Sequence, residues 1–214
     1  MDRLPRGRHG LSPEYVARNQ RERLITGLTE ALYEVGYQKT TVSMIGQRAA
    51  VSKSDFYKHF ESKDECFIAA YDRAIERIRE RVTTACEGAA DDDWPRRVSA
   101  AIEALLKQLS DDPALASITL VEGLRAGREV YDRYQAALES FVGYLHEGAS
   151  SAPQAREVPE ATGEAVVGGI ASLLGRRVLA GGAEQLSELF PEILEFTLSA
   201  YLGAEQARRI VSAG

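Results

Sequence analysis

Five polar or basic side chains fall close together in one short segment, and their chemistry suits contact with a polyanion. They are Lys53, Ser54, Tyr57, Lys58 and His59. Ammonium, hydroxyl and imidazole groups donate hydrogen bonds to phosphate oxygens and to the edges of bases. A helix-turn-helix motif places such groups on an exposed helix that enters the major groove of DNA. The pattern therefore predicts a DNA-binding helix.

Serine and threonine residues mark where the helices of this segment begin. Ser52 is followed three residues later by Asp55, and Ser62 by Glu65, so each serine is placed to cap a helix. Thr41 is placed to cap the preceding helix, whose free backbone amides can bind a phosphate. We predict DNA contacts from Thr41, Ser52, Lys53, Ser54, Tyr57, Lys58, His59 and Lys63. Within this set, Lys53 and Ser54 are the candidates for base readout.

The chain is predicted to be all-α, because no segment alternates polar and apolar residues with period two. Apolar residues instead recur at spacings of three and four, as in the stripe Leu24, Leu28 and Leu32. We predict about nine helices. After the short helices of the motif, they lie at roughly 63–85, 94–109, 113–125, 127–147, 159–180 and 184–201; the first helix begins near Pro13 and ends at Gly36. Residues 1–12 are predicted to be a disordered arm, because they are rich in arginine, glycine and proline.

The charge distribution favours a DNA-facing part attached to an acidic remainder. The 214 residues carry 26 lysines and arginines against 32 acidic residues, for a net charge of −6. Residues 1–65 hold 11 basic against 9 acidic residues, and the rest holds 15 against 23. This balance argues against a protein that coats nucleic acid indiscriminately. No secretory signal or membrane-spanning run is visible, so we expect a cytoplasmic, nucleoid-associated protein without a membrane partner.

Nothing in the sequence predicts an enzyme. The three histidines, His9, His59 and His146, lie in the arm, in the recognition helix and at a charged helix end. No nucleophile elbow, zinc-protease motif or phosphate-binding glycine loop is present. Cys66 and Cys86 are not spaced like metal ligands and are interpreted as structural thiols. We therefore predict no catalytic residues, no metal and no cofactor.

The motif resembles that of the TetR family of bacterial transcriptional regulators. The resemblance rests on Val51-Ser52-Lys53-Ser54-Asp55-Phe56-Tyr57-Lys58-His59-Phe60-Glu61-Ser62-Lys63, preceded by Gly36-Tyr37 and Thr40-Thr41-Val42. It covers about 25 consecutive residues. One departure is Ala50, where the family commonly has glycine in the turn. From this alanine we expect a turn without strongly left-handed backbone.

The resemblance implies a division into a helix-turn-helix domain at 13–62 and a ligand-binding and dimerisation domain at 63–214. Residues 166–178 and 189–196 look like the last two family helices, which form a four-helix bundle across a dimer axis. The first of these is rich in glycine, which permits close approach of a partner helix; the alternative is that it packs only inside its own chain. The predicted interface is Val167, Ile170, Leu174, Ile193, Leu194 and Thr197. Such a dimer would present two recognition helices one DNA turn apart, on a pseudo-palindromic operator.

The family also implies a small-molecule pocket in the second domain. Its predicted lining is Phe67, Tyr71, Trp94, Leu105, Leu109, Ile118, Leu124, Tyr131, Tyr134 and Phe141. For each of these residues taken singly, the pattern favours a plain hydrophobic core over a ligand contact, with Trp94 and Tyr134 as the better candidates for contact. The sequence does not name the ligand. The predicted function is a homodimeric repressor that a small molecule releases from its operator, with activation as another mode. Two alternatives stay open: a nucleoid or cell-division factor on this fold, and a helical ligand-binding protein that has lost DNA binding.

Overall fold

The computed structural model describes residues 12–89 and 93–213, which fold into ten α-helices without a β-strand in those ranges. The helices are α1 Pro13–Val35, α2 Val42–Ala49, α3 Lys53–His59, α4 Lys63–Glu87, α5 Trp94–Asp111, α6 Pro113–Leu120, α7 Arg128–Ser150, α8 Ala161–Leu179, α9 Phe190–Leu202 and α10 Ala204–Ala213. Two 3-10 segments, Glu122–Leu124 and Ala183–Leu189, lie between them. The all-α prediction is confirmed. The predicted arm lies outside the described residues apart from Ser12.

The predicted caps are confirmed at the start of the first four helices. The side chains of Thr41, Ser52 and Ser62 each accept a hydrogen bond from the backbone N–H three residues further on, and Ser12 caps α1 in the same way. Each bond satisfies one of the amides that a helix start leaves without a partner in the helix. These short polar side chains therefore fix where the helices of the motif begin.

Helices α1, α2 and α3 form the part of the molecule that we call the head. Leu24 and Leu28 of α1, Ile45 of α2 and Phe56 of α3 are fully buried and pack together. Phe60, at the end of α3, is 2% exposed and adds its ring to the same core. Because apolar residues from all three helices meet here, the angle at which α3 is presented is fixed by packing.

Helices α4 to α10 form the body, and its helices differ from the prediction in three places. The segment predicted as one helix at 113–125 ends as α6 at Leu120 and is followed by the 3-10 segment Glu122–Leu124. The segment predicted as one helix at 184–201 begins as a 3-10 segment, and α9 starts only at Phe190. Pro191 explains this start, because proline lacks an N–H and fits the first turn of a helix. The final helix α10 was not predicted; it follows Gly203, which has a φ of +85° and separates it from α9.

Within the part of the chain that the structure describes, no helix is both long enough and apolar enough to cross a bilayer.

Candidate DNA-binding surface and ligand cavity

Six of the eight predicted DNA contacts lie exposed at the start of α2 and along α3. They are Thr41, Ser52, Lys53, Ser54, Tyr57 and Lys58. The Tyr57 side chain is 51% exposed, and its ring packs edge-on against Phe56 at 5.4 Å between centroids. This contact holds the phenol at the surface with its hydroxyl toward solvent-accessible space. The exposed face of α3 thus carries two lysines, two serine hydroxyls and a phenol.

The charges on this face are partly paired within α3. Lys58 Nζ lies 2.7 Å from Asp55 Oδ1, and the Ser52 hydroxyl donates to Asp55 Oδ2 at 2.7 Å. These hydrogen bonds, that of Lys58 first, lower the pKa of Asp55 below its usual value. Because the pair is largely exposed to solvent, it contributes little to stability, and Lys58 can exchange Asp55 for a phosphate at little cost.

The other two predicted DNA contacts, His59 and Lys63, are turned toward the protein. His59 Nε2 lies 3.0 Å from Gln20 Oε1 of α1, and burial lowers the pKa of the His59 ring. Lys63 Nζ donates to the backbone oxygens of Tyr37 and Thr40 at 2.9 and 3.2 Å. These bonds hold the α1–α2 loop against the start of α4. The side chains of His59 and Lys63 therefore make contacts within the protein that help to hold the head in place.

The turn between α2 and α3 corrects one prediction. Ala50 has φ 49° and ψ 45°, which is left-handed backbone, so the expectation drawn from the missing glycine was wrong. Arg23 of α1 explains how the turn holds an alanine in this conformation. Its guanidinium donates to the backbone oxygens of Ala49 and Ala50, the second at 2.9 Å. These bonds satisfy carbonyl groups that the end of α2 leaves without partners.

Tyr37, in the loop between α1 and α2, connects the head to the body. Its backbone N–H donates to Glu122 Oε2 at 2.8 Å, a buried bond between residues 85 positions apart in the chain. Its hydroxyl donates to the carboxylate of Asp64, and burial followed by this bond raises the pKa of Tyr37. The Glu122 side chain is 6% exposed. The loop that precedes α2 is therefore tied to both α4 and the 3-10 segment after α6.

A row of aromatic rings leads from Tyr37 into the body. The Tyr37 ring meets Phe67 edge-on at 5.2 Å, and Phe67 lies nearly parallel to Tyr71 at 6.4 Å. A Cβ atom built on Gly123 would lie 2.7 Å from the ring of Tyr71, so the absence of a side chain there makes room for the ring. Gly123 follows Glu122 directly in the chain. Tyr71 is therefore connected to Tyr37 in two ways, through the Phe67 ring and through the segment of Glu122 and Gly123.

A cavity of about 310 Å³ lies in the body between α4, α5, α7 and α8. Its wall is almost entirely apolar. It is lined by Tyr71, Ile75, Ile78, Val82, Thr83, Cys86, Glu87, Trp94, Arg97, Val98, Ala101, Ile102, Leu105, Leu109, Thr119, Leu120, Tyr134, Ala137, Leu138, Phe141, Tyr144, Leu145, Gly148, Val167, Ile170, Ala171, Leu174 and Thr197. Two buried polar atoms of this wall, Tyr71 Oη and Trp94 Nε1, have no hydrogen-bond partner among the described residues. Such a cavity suits a small, mainly apolar ligand.

The structure brings six of the ten predicted pocket residues to this wall. They are Tyr71, Trp94, Leu105, Leu109, Tyr134 and Phe141. Phe67 and Ile118 are fully buried beside the cavity but do not line it. Leu124 and Tyr131 are 49% and 44% exposed and lie outside it. Apolar residues recur at the same helical spacing whether they line a cavity, fill the core or lie at the surface. The sequence pattern alone therefore does not distinguish these three locations.

The six residues predicted for a dimer interface lie inside this chain. Val167, Ile170, Leu174 and Thr197 line the cavity. Ile193 and Leu194 are 2% and 3% exposed and belong to the core. The apolar stripes of α8 and α9 therefore face their own chain, because the body needs them to close the cavity. The face that these two helices leave exposed carries Ala165, Gly169, Ser172 and Phe196.

Three residues that matter to the head were missed at the level of sequence. Arg23 and Glu122 each act on a backbone group far away in the chain, and no local pattern marks such a bond. Gly46 lies within α2, where a Cβ atom would come 2.6 Å from the backbone oxygen of Val51. A glycine inside a short helix was the available signal for this close approach.

The remaining candidates for chemistry among the described residues are metal ligands and the two thiols. No group of three or more histidine, cysteine or acidic residues within 12–89 and 93–213 could hold a metal ion. Burial raises the pKa of the Cys66 thiol to about 12, and it also raises that of Cys86. Both thiols are therefore unreactive near neutral pH.

Comparison with known sequences supports the reading of the head. The sequence model for the bacterial regulatory proteins of the tetR family matches residues 24–70, which span most of α1, all of α2 and α3, and the start of α4. An uncharacterised HTH-type transcriptional regulator of Mycobacterium tuberculosis is 26% identical over 146 residues. This match covers 68% of this chain and 73% of that protein.

Solved structures share the whole fold. The regulator FadR of Bacillus subtilis, crystallised in complex with stearoyl-CoA, is 21% identical with a TM-score of 0.73, over 84% of this chain and 98% of that one. The regulator SmeT in complex with triclosan is 20% identical with a TM-score of 0.70, over 86% and 91%. At these identities the likeness shows that head and body are arranged as in those proteins.

Proposed function

Because the chain belongs to the TetR family of bacterial transcriptional regulators, we propose that it is a homodimeric repressor released from its operator by a small molecule. It is a DNA-binding transcriptional regulator, as its family is. The proposal adds three points: that the protein represses transcription, that it acts as a homodimer, and that a small molecule controls its binding to DNA. It also assigns DNA binding to residues 13–62, and ligand binding and dimerisation to residues 63–214. The observation that carries the ligand control is the apolar cavity, because Tyr71 on its wall contacts both routes to the head.

DNA binding is proposed to use the exposed face of α3. Lys53, Ser54, Tyr57 and Lys58 occupy positions one turn apart, so they can meet one groove together. Lys58 and Tyr57 are assigned to phosphates, and Lys53 and Ser54 to base edges. No ion pair ties Lys53 within the part of the chain that the structure describes, which leaves its ammonium available.

Replacing Tyr57 by phenylalanine together with Lys58 by alanine should weaken binding to every duplex by about tenfold at moderate salt. A variant that contacts fewer phosphates displaces fewer counterions from the DNA when it binds. The slope of log affinity against log salt concentration should therefore fall in magnitude by about 1. Fluorescence anisotropy with an operator selected from random duplexes, at several salt concentrations, measures both quantities.

Lys53→Ala is the matched comparison on the same face. It should change the ranking of operators, because a base contact discriminates by about 1–3 kcal/mol. An unchanged salt slope for the Tyr57 and Lys58 double variant would show that another helix meets the phosphates.

The proposed dimer uses the exposed face of α8 and α9. A Cβ atom on Gly168 would meet no atom within 4 Å, and one on Gly169 would meet only the ring of Phe196. The Phe196 side chain is 52% exposed. A glycine-rich helix face beside an exposed aromatic ring allows a partner helix to approach closely and buries the ring on association.

Gly168→Leu should convert the dimer to a monomer at micromolar concentration. The leucine has open space in one protomer, and it raises helix propensity, so the chain itself should not be destabilised. In the dimer it would hold the two helix pairs apart. Sedimentation equilibrium measures the change.

Gly143→Leu on α7 is the control, because Gly143 also has no atom within 4 Å of an added Cβ but lies outside the proposed interface. Equal dimer dissociation constants for Gly168→Leu and wild type would exclude this face. Gly143→Leu should keep the wild-type melting temperature or exceed it, whereas Gly168→Leu should fold but melt at a lower temperature, because it loses the stabilisation that association contributes.

A small-molecule effector is supported by the cavity and by two relatives with the same fold. FadR of Bacillus subtilis binds stearoyl-CoA, which carries a long apolar alkyl chain, and SmeT binds triclosan, which is largely apolar. A ligand changes DNA affinity only if it binds the DNA-competent and DNA-incompetent states differently. Here the difference is proposed to arise at Tyr71, which a ligand in the cavity would contact.

A further inference from the structure

The cavity is long and runs parallel to three helices. Its lining residues extend on α4 from Tyr71 to Glu87, on α5 from Trp94 to Leu109, and on α7 from Tyr134 to Gly148. At 1.5 Å of rise per residue, each of these stretches is about 22 Å long. The three stretches meet at one end of the cavity, where Cys86 Sγ contacts the backbone oxygen of Arg97 and Gly148 lies against the Trp94 ring. The helices therefore form the wall of one elongated channel.

The channel is also narrow. A volume of about 310 Å³ is at the lower limit for small-molecule sites, and here it extends along about 22 Å. An unbranched alkyl chain fits this shape better than a compact ring system. Tetrahedral carbons bonded about 1.5 Å apart advance about 1.3 Å per carbon in an extended chain, so about 17 carbons fill the length.

The two ends of the channel differ in exposure and polarity. At one end, Tyr71, Leu109 and Thr119 are 3% exposed or less, and the end is closed. At the other end, Thr83, Glu87 and Tyr144 are exposed, and Arg97 adds a guanidinium to the wall.

These ends fix the orientation of a bound amphiphile. Each residue that lines the closed end is uncharged, so a carboxylate buried there would lose its solvation without gaining an ion pair. The polar end of a ligand therefore belongs at the open end, and the tail points toward Tyr71.

We propose that the effector is an unbranched alkyl chain of about 14–18 carbons, carried by a fatty acid or its thioester, whose tail end reaches Tyr71. The inference rests on the proposed ligand control and names the ligand class. It has a further consequence. A chain that stops short of Tyr71 binds without touching Phe67, Gly123 or the loop of the head, so it leaves the operator complex intact.

The first measurement is binding of saturated fatty acids of 8 to 20 carbons to the full-length protein. Trp94 is the single tryptophan of the chain and lines the channel, so its fluorescence reports occupancy directly. Affinity should rise about tenfold for each two carbons added and should stop rising beyond about 18 carbons. Affinity that is independent of chain length, or a tighter complex with triclosan than with any fatty acid, would overturn the assignment.

The second measurement is release of the selected operator at saturating ligand. Decanoate should leave the complex bound, and stearate should release it. Stearate and stearoyl-CoA distinguish the two carriers of the same chain. Stearate that binds without releasing DNA, when triclosan does release it, contradicts the proposal and leaves ligand control standing. If no compound that binds in the channel releases DNA, the proposed ligand control itself fails.

Variants at the closed end test the geometry with opposite signs. Ala137→Leu fills the channel near Tyr134 and should shift the best chain length down by about two carbons. Leu109→Ala opens the closed end and should shift it up by about two carbons. Thermal melting establishes whether each variant folds, and one folded variant is enough to test the position of the tail. An unchanged length optimum in a folded variant overturns the proposed tail position.

Tyr71→Phe tests the orientation. It removes the unpartnered hydroxyl and keeps the ring, so fatty-acid affinity should change by less than threefold. A loss of more than about tenfold would place the carboxylate at Tyr71 and reverse the ligand in the channel.

Discussion

Gly46→Ala should abolish operator binding and lower the free energy of unfolding of the head by about 3 kcal/mol. The added Cβ would lie 2.6 Å from the backbone oxygen of Val51, an overlap that only a backbone shift can relieve. Val51 also donates its N–H to the Gly46 oxygen at 2.9 Å, so the shift costs this bond. Since Val51 leads into α3, the recognition helix must turn away from its position over α2. Thermal unfolding and operator anisotropy measure the two losses.

Two substitutions serve as controls for this result. Gly143→Ala adds the same methyl group on α7 where no atom lies within 4 Å, and it should leave binding unchanged. Ala50→Gly should stabilise the head by about 0.5 kcal/mol, because glycine adopts the left-handed turn without the strain of a Cβ. Operator affinity at the wild-type level in Gly46→Ala would contradict the close packing of α2 on the turn.

The contrast between Gly46 and Ala50 illustrates how far the sequence predicts this head. Caps such as Ser52 are local: a serine and an amide three residues later determine the bond, so the sequence predicts the helix start. The turn conformation at Ala50 depends on Arg23, which reaches it from α1. Composition at the turn alone therefore led to the wrong backbone expectation.

The body shows the same limit over longer distances. The period of apolar residues predicts helices such as α8, but it does not say what each apolar face packs against. Leu174 was predicted to face a partner copy, and it lines the cavity because α8 closes that wall. The exposed side of the same helix is marked only by small residues such as Gly169, whose role emerges once the fold is known.

The proposed coupling of the cavity to the head has two candidate physical routes, which meet at one loop. One route passes through the rings of Tyr71, Phe67 and Tyr37. The other passes from Tyr71 to Gly123 and then through the Glu122 carboxylate to the Tyr37 N–H. The route through the aromatic rings depends on van der Waals contact, which persists when the rings shift by a small distance. The hydrogen bond is directional and buried, so it transmits movement of the 3-10 segment to the loop before α2 more strictly.

Glu122→Ala should therefore separate ligand binding from DNA release. Loss of the carboxylate leaves the Tyr37 N–H buried without its partner, which should cost about 2 kcal/mol of stability. Fatty-acid affinity should be unchanged, because Glu122 does not line the cavity. The ligand concentration needed to release the operator should rise about 5- to 150-fold, as the loss of a coupling of 1–3 kcal/mol implies. Trp94 fluorescence and operator anisotropy on the same samples measure binding and release.

Glu122→Gln distinguishes the hydrogen bond from the charge. Its amide oxygen can still accept from the Tyr37 N–H, so release should stay near the wild-type concentration even though the carboxylate is gone. Hydrogen exchange at the Tyr37 amide gives a reading that needs no ligand: exchange should be fast in Glu122→Ala and slow in both wild type and Glu122→Gln. If Glu122→Ala protects this amide and releases DNA like wild type, the coupling runs through the aromatic rings alone. If Glu122→Gln behaves like Glu122→Ala, the charge of Glu122, which Arg125 faces at 3.4 Å, carries the coupling in place of the hydrogen bond.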